Sequence, residues 1–118
     1  MKVNKKYNCL FIGNAIVDVV SEVSFEFLEK QKIDVGSWRP VSINEINELQ
    51  QKMSNTIIAS GGSAANSAVG FSLLGGRSAF IGRVKSDDFG SLYVKDLKEA
   101  NVDFISNTVD TGNETGRC

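Results

Sequence analysis

Runs of apolar residues separated by glycines and polar residues predict alternating strands and helices. Residues 9–12 are continuously apolar, which predicts a strand buried on both faces of a parallel sheet. Residues 56–59 and 78–84 predict two further strands, and residues 37–41 a short one. Ile and Val are again frequent over residues 15–23, and the tail after Phe104 predicts short strands.

Helical spacing and capping residues predict four helices between these strands. Ser24 caps a short helix that begins at Phe25, and Ser42 with Glu45 forms a capping box before the next. Residues 63–74 are small or apolar nearly all round, which predicts a buried helix. Asp87 or Asp88 caps the last helix, whose apolar residues are Phe89, Leu92, Val94, Leu97 and Ala100, with Asn101 at its end.

Alternation of strand and helix predicts an α/β fold with a mainly parallel sheet. The strands after Gly13 and the tail after Phe104 break this alternation, and they suit a small β-rich flap attached to the main sheet. With 118 residues the chain is one domain or a piece of one.

The composition of the chain excludes several classes of partner and of catalytic site. The formal net charge of −1 implies no basic surface for nucleic acid or anionic lipid. The chain has no histidine, which excludes histidine-served nucleophiles and histidine-ligated zinc. No apolar stretch suits a signal peptide or a membrane span. Cys9 and Cys118 show no metal-like spacing, and we expect reduced thiols in a cytoplasmic protein.

The strongest candidate site is the turn from a strand through Gly61-Gly62-Ser63 into a helix. Two glycines let a ligand approach the backbone closely, and the free N–H groups of the helix start favour hydroxyls, carboxylates or phosphates. Ser63 and Asn66 share one side of the first turn. Two interpretations stay open from this pattern alone: a ligand cradle, or a plain turn with Ser63 as the helix cap. The spacing fits neither a dinucleotide motif nor a P-loop.

A second candidate is Asn14 with Asp18, four residues later in an otherwise apolar run. A carboxylate there needs a partner or water. If both residues lie in one strand they share a face, and an amide with a carboxylate would suit two adjacent hydroxyls. A solvated Asp18 on an edge strand is the competing interpretation. Trp38 is either an aromatic residue that closes on a ligand or a core or interface residue. Asp87-Asp88 indicates helix capping rather than a metal site.

Six segments follow one another along the chain: Gly13-Asn14 with Asp18, Gly61 to Asn66, Leu74-Gly75-Gly76, Phe80 to Val84, Asp87 to Gly90, and Glu114-Thr115-Gly116. Together these segments resemble the N-terminal part of ribokinase-like (PfkB) carbohydrate and nucleoside kinases. The resemblance covers essentially the whole chain, and its several motifs occur in the family's order. The Asn14 and Asp18 spacing looks more like adenosine kinases than ribokinases.

The resemblance implies an α/β sandwich with a β lid, formed here by about residues 15–42 and 104–118. It implies that Asp18, Gly62 and Asn66 bind sugar hydroxyls and that Asn14, Gly61 and Ser63 line the pocket. The family's catalytic base, an Asp in a Gly-Ala-Gly-Asp run, and its ATP site would lie beyond residue 118, so we expect the chain to be a fragment. ATP and Mg²⁺ would then serve the complete enzyme, and a homodimer through the lid is possible within the family.

Two functions remain open at this stage. The chain is either the acceptor-binding part of an ATP-dependent sugar or nucleoside kinase, or a non-catalytic α/β module that binds a ribosyl compound or a protein partner. We expect a sheet cut midway to leave an apolar edge that favours aggregation, so the isolated piece should be marginally stable or oligomeric.

Overall fold

The computed structural model describes residues 5–118. Contacts divide the chain into two compact units: one runs to Asp18 and resumes from Ala59 to Cys118, and the other is Val19–Ile58. The elements in chain order are β1 (Cys9–Ile12), β2 (Ile16–Val20), α1 (Phe25–Lys30), α2 (Ile43–Lys52), β3 (Ile57–Gly61), α3 (Ser63–Leu73), β4 (Ser78–Ile81), α4 (Asp88–Glu99), β5 (Val102–Phe104) and β6 (Gly116–Arg117).

A parallel sheet with the strand order β1-β4-β5 forms the centre of the larger unit. Phe11 lies opposite Phe80, and Phe80 opposite Phe104, so the three rings form a row across one face. Helices separate these strands along the chain, as parallel connections require. The predicted α/β fold with a parallel sheet is confirmed.

Helices α3 and α4 pack on the face that carries this row of rings. Phe80 is fully buried, and its ring centroid lies 6.0 Å from that of Tyr93 on α4 and 6.2 Å from that of Phe104. Phe11 meets Phe71 of α3 at 5.9 Å. Offset and tilted rings at these distances add to the stabilisation from buried area. The core of the larger unit therefore lies between the sheet and these two helices.

Two predictions of burial are wrong, and both concern apolar residues that are exposed. Leu10 and Ile12 of β1 are 47% and 69% exposed, because the described residues cover only the opposite face of this strand. Helix α3 buries Ala65 and Ala68 but leaves Leu73 exposed. A continuous apolar pattern predicts that both faces are covered, but it does not show that the covering elements lie in the same stretch of chain.

A second sheet has the strand order β3-β2-β6. Strands β2 and β6 run parallel, with Ile16 opposite Gly116 and Val17 opposite Arg117. Val17 is fully buried, and the next residue along β2 is Asp18. A short C-terminal strand therefore flanks the part of β2 that leads to the candidate carboxylate.

The predicted helix boundaries are confirmed where a side chain caps the helix. Ser24, Ser42 and Asp87 each accept a hydrogen bond from the backbone N–H three residues later, at the starts of α1, α2 and α4. Such caps satisfy donors that a helix start otherwise leaves free. Asn101 follows α4 in the left-handed region, with φ 58°, which ends the helix.

The unit Val19–Ile58 contains both α1 and α2. The Ser21 hydroxyl donates to the carbonyl of Ser54 at 2.6 Å within this unit. The strand predicted over residues 37–41 is wrong, because that segment is irregular and exposed around Pro40, which has no N–H for a strand ladder. The lid at about residues 15–42 and 104–118 stays a prediction.

Among residues 5–118, no helix combines the length and the apolar character that crossing a bilayer requires.

Candidate functional site

The turn between β3 and α3 is built around Gly62. This residue has φ 93° and ψ 136°, a backbone conformation that side chains disfavour, and it occupies the N-cap position of α3. One of the two open interpretations of this turn had Ser63 as the helix cap, and that assignment is wrong because Ser63 is already the first residue of α3. Because Gly62 has no side chain, the cap residue forms no side-chain hydrogen bond to the backbone N–H groups at the start of α3.

The carboxylate of Asp18 lies directly against Gly61. A Cβ atom placed on Gly61 would lie 2.5 Å from Cγ and 2.8 Å from Oδ1 of Asp18, closer than real side chains approach one another. Asp18 is half-buried on β2 and Gly61 is buried at the end of β3. The absence of a side chain at Gly61 therefore makes the room that the Asp18 carboxylate occupies.

The loop after β1 passes close to the same turn. A Cβ on Gly62 would lie 2.6 Å from the backbone oxygen of Asn14, and a Cβ on Gly13 would lie 2.7 Å from Cβ of Ala64. Asn14 precedes β2 by two residues, so strand alternation does not set its side-chain direction as the sequence pattern assumed. Asn14 nevertheless lies beside the glycine pair.

The structure brings most of the predicted site residues together in the larger unit. Asn14, Asp18, Gly61 and Gly62 meet at the turn, and Ser63 and Asn66 follow on the first turn of α3 with both residues exposed. Helix α3 begins with the Asn66 N–H bonded to the Gly62 carbonyl at 2.9 Å. Trp38 lies in the unit Val19–Ile58 and is 81% exposed.

Helix α4 holds the backbone at the end of β3, a contact that the sequence pattern does not predict. The Tyr93 hydroxyl donates to the Gly61 carbonyl at 3.1 Å, and the Asp96 carboxylate accepts from the Ser60 N–H at 2.8 Å. Burial, with the charge of Asp18 nearby, raises the pKa of Tyr93 to about 12, so this phenol stays protonated at any ordinary pH and can donate the hydrogen bond. A spacing of four residues from Phe89 through Tyr93 to Leu97 was the available signal for its burial.

The start of α4 also holds the segment that leads into β6. Asp87 accepts hydrogen bonds from the Gly90 N–H at 2.7 Å, the Thr115 N–H at 2.9 Å and the Thr115 hydroxyl at 2.7 Å. Burial opposes ionisation of Asp87, but these hydrogen bonds outweigh it and hold the pKa of its carboxyl below the usual 3.8. The predicted helix cap is confirmed, and the same carboxylate fixes fully buried Thr115 next to β6.

Residues 28–118 match the model of the pfkB family carbohydrate kinases. This match includes the glycine turn, α3, α4 and β6. The chain belongs to the pfkB family of carbohydrate kinases. The suspected relationship to ribokinase-like kinases is thereby confirmed.

Solved kinase structures share the fold of this pfkB-family chain. An adenosine kinase from Sinorhizobium meliloti superposes with a TM-score of 0.84 at 36% identity, over 96% of this chain and 35% of that one. A probable sugar kinase from Rhizobium etli CFN 42 superposes with a TM-score of 0.84 at 30% identity, over 95% of this chain and 34% of that one.

A curated relative is named after a sugar substrate. Probable fructokinase-6, chloroplastic, from Arabidopsis thaliana is 47% identical over 57 residues, which are 48% of this chain and 15% of that protein. The pfkB-family chain thus spans about a third of the length of each of these two solved kinases, and its match covers a smaller share of the length of the fructokinase relative.

Proposed function

We propose that this chain forms the acceptor-binding part of a kinase that transfers the γ-phosphoryl group of ATP to a hydroxyl of a sugar or nucleoside. The observation that carries the proposal is the Asp18 carboxylate seated against Gly61, where β3 turns into α3. A carboxylate accepts hydrogen bonds from neighbouring hydroxyls, and a glycine turn lets a small polyol approach the backbone closely.

Each residue of the turn has a role in this proposal. Asp18 accepts hydrogen bonds from the acceptor, and Gly61 leaves the space that its carboxylate needs. Gly62 supplies the positive φ that starts α3 without a side chain over the helix end. Asn66 and Ser63, both exposed on the first turn, add polar contacts to the acceptor. Asn14 beside the turn completes the lining, and Trp38 stays a candidate aromatic contact.

Catalysis by such an enzyme depends mainly on positioning the acceptor hydroxyl in line with the phosphoryl group. In our proposal the base that takes the hydroxyl proton, and the residues that bind ATP with Mg²⁺, belong to polypeptide beyond this chain. Residues 5–118 contain no group of three or more acidic or cysteine side chains arranged to hold a metal ion. The role that we propose for Asp18 is to bind the acceptor, because its carboxylate lies at the glycine turn.

We propose a nucleoside as the first acceptor to test and a sugar as the second. The spacing of Asn14 and Asp18 and the 36% identity to an adenosine kinase over 96% of this chain support a nucleoside. The 47% identity to a probable fructokinase, over 57 residues, supports a sugar. Both acceptors present adjacent hydroxyls to the same carboxylate, so the Asp18 contact serves either.

The proposal is tested by measuring phosphoryl transfer by the full-length protein that contains these residues. Labelled ATP is incubated with adenosine, ribose or fructose, and kcat/KM is measured for the natural protein and for Asp18→Asn. We expect transfer to at least one acceptor. Loss of charge-assisted hydrogen bonds worth about 1.5–3 kcal/mol should lower kcat/KM about 10- to 150-fold in Asp18→Asn.

Asp88→Asn is the matched control, because it makes the same chemical change at an exposed residue in the first turn of α4. Its kcat/KM should stay close to that of the natural protein. Acceptor binding without transfer would favour a non-catalytic module, and equal losses in both variants would contradict the role of Asp18.

A further inference from the structure

Two side chains of α4 bind backbone groups of two consecutive residues at the end of β3. The Asp96 carboxylate accepts from the Ser60 N–H at 2.8 Å, and the Tyr93 hydroxyl donates to the Gly61 carbonyl at 3.1 Å. Tyr93 and Asp96 are three residues apart, so they lie on the same face of the helix. This face of α4 therefore holds the backbone of Gly61, the residue whose missing side chain makes room for Asp18.

The ring and the hydroxyl of Tyr93 have separable tasks. The ring is fully buried and lies 6.0 Å from the ring of Phe80 and 6.3 Å from that of Phe104, a packing role that a phenylalanine would also fill. A buried hydroxyl destabilises the fold unless it forms a hydrogen bond, and the Gly61 carbonyl provides one. The hydroxyl is thus the part of Tyr93 that acts on the glycine turn.

A hydrogen bond to the Gly61 carbonyl fixes more than one atom. The peptide that joins Gly61 to Gly62 is planar, so its N–H on Gly62 points away from the carbonyl that Tyr93 holds. Two successive glycines leave this peptide unusually free to rotate, because neither residue has a Cβ to restrict its dihedral angles. Without the hydroxyl, both the direction of the Gly62 N–H and the contact between Gly61 and Asp18 become less defined.

We propose that Tyr93 is a positioning residue for acceptor binding, whose hydroxyl locks the Gly61–Gly62 peptide against the Asp18 carboxylate. The proposal rests on the proposed function of this turn as the acceptor site. It predicts that Tyr93 acts through the backbone and through Asp18 and does not itself touch the acceptor. The raised pKa of Tyr93, to about 12, keeps the donor in place across the whole working pH range.

Tyr93→Phe tests the hydroxyl while it keeps the ring, and Tyr7→Phe is the matched control. Tyr7 also loses one hydrogen bond, from its hydroxyl to the Asp103 carboxylate at 2.7 Å, at an exposed position. Calorimetric titration of the full-length protein with adenosine and with fructose should show Kd raised about tenfold in Tyr93→Phe. Tyr7→Phe should stay within about twofold of the natural protein.

A variant pair with Asp18→Asn tests whether Tyr93 acts through Asp18. If it does, Tyr93→Phe should weaken binding much less in the Asp18→Asn background than in the natural protein, since coupled residues are not additive. Equal fold changes in both backgrounds would overturn the positioning role.

Amide NMR keeps this proposal separate from the proposed function. Tyr93→Phe should shift or broaden the Gly61 and Gly62 amide signals without any ligand, while Tyr7→Phe leaves them unchanged. If the natural protein binds neither adenosine nor fructose, the proposed function fails and the amide result still decides the role of Tyr93. Unchanged glycine signals in Tyr93→Phe, or unchanged Kd where the natural protein binds, would overturn the inference.

Discussion

Replacing Gly61 by alanine should weaken acceptor binding, because the new side chain would displace the Asp18 carboxylate. The added Cβ would lie 2.5 Å from Cγ of Asp18 and nearer still to Oδ2, whereas ordinary contacts begin at 3.4 Å, so the carboxylate has to retreat by at least about 0.9 Å. A hydrogen bond of typical length stretched by that amount exceeds about 3.5 Å and no longer counts as one. Each lost hydrogen bond to the carboxylate removes about 1.5–3 kcal/mol, so we expect acceptor affinity to fall about 10- to 150-fold.

The same substitution at Gly70 provides the control, because a Cβ there meets nothing within 4 Å and the residue lies inside α3. Gly70→Ala should raise the free energy of unfolding by about 0.5–1 kcal/mol and leave affinity unchanged. Calorimetric titration gives affinity, and urea unfolding gives stability. In Asp18→Ala the clash is absent, so Gly61→Ala should add little further loss. If Gly61→Ala bound the acceptor as tightly as the natural protein does, the claim that the Asp18 carboxylate lies against Gly61 in the acceptor site would be refuted.

Three further predictions concern stability and association. Gly62→Ala should lower the free energy of unfolding by about 1–3 kcal/mol in urea titrations, because its φ is 93° and its Cβ would meet the Asn14 carbonyl; an unchanged midpoint would contradict this. Asp87→Ala should cost about 2–4 kcal/mol through the lost cap and Thr115 bonds. Because folding lowers the pKa of Asp87, the ionised carboxylate should stabilise the fold at any pH above the usual pKa of 3.8. This stabilisation should be lost as the pH falls through the lowered pKa, so the thermal melts of Asp87→Ala and the natural protein should converge only in acid. The isolated 118-residue chain should self-associate through the exposed face of β1, and Ile12→Lys should reduce this in sedimentation velocity; a sharp, monomeric thermal transition at high temperature would contradict it.

Local signals in the sequence predicted the elements well because capping and glycine act over short distances. Ser42 and Asp87 bond to N–H groups three residues away, and Asn101 ends α4 with its own left-handed backbone. The parallel sheet also followed, since helices separate its strands along the chain. Such interactions are readable because both partners lie within one turn of the same element.

Burial was less predictable because it depends on what covers a surface. Ile12 continues an apolar run, yet it is 69% exposed, since the described residues cover only the other face of its strand. Tyr93 shows the opposite: it was not counted among the apolar residues of its helix, yet it is fully buried. The pattern reports which residues tolerate burial, and the packing of distant elements decides which are buried.

The sequence pattern names candidate site residues, but it does not predict how they are arranged in space. Asp18 and Gly61 are far apart in sequence, and no local rule places the carboxylate where the glycine side chain would be. The hydroxyl of Tyr93 bonds to a backbone oxygen, and backbone partners leave no trace in the identity of the residue that accepts. Those contacts needed the three-dimensional arrangement of β2, β3 and α4.

Acceptor titration of Asp18→Asn against the natural full-length protein is the most direct test of the central claim. Adenosine and fructose are titrated in turn, and Asp88→Asn is measured alongside. Our proposal predicts binding of at least one acceptor to the natural protein and to Asp88→Asn, with affinity about 10- to 150-fold weaker in Asp18→Asn. Equal affinity in all three proteins would contradict the claim that Asp18 at the glycine turn binds the acceptor.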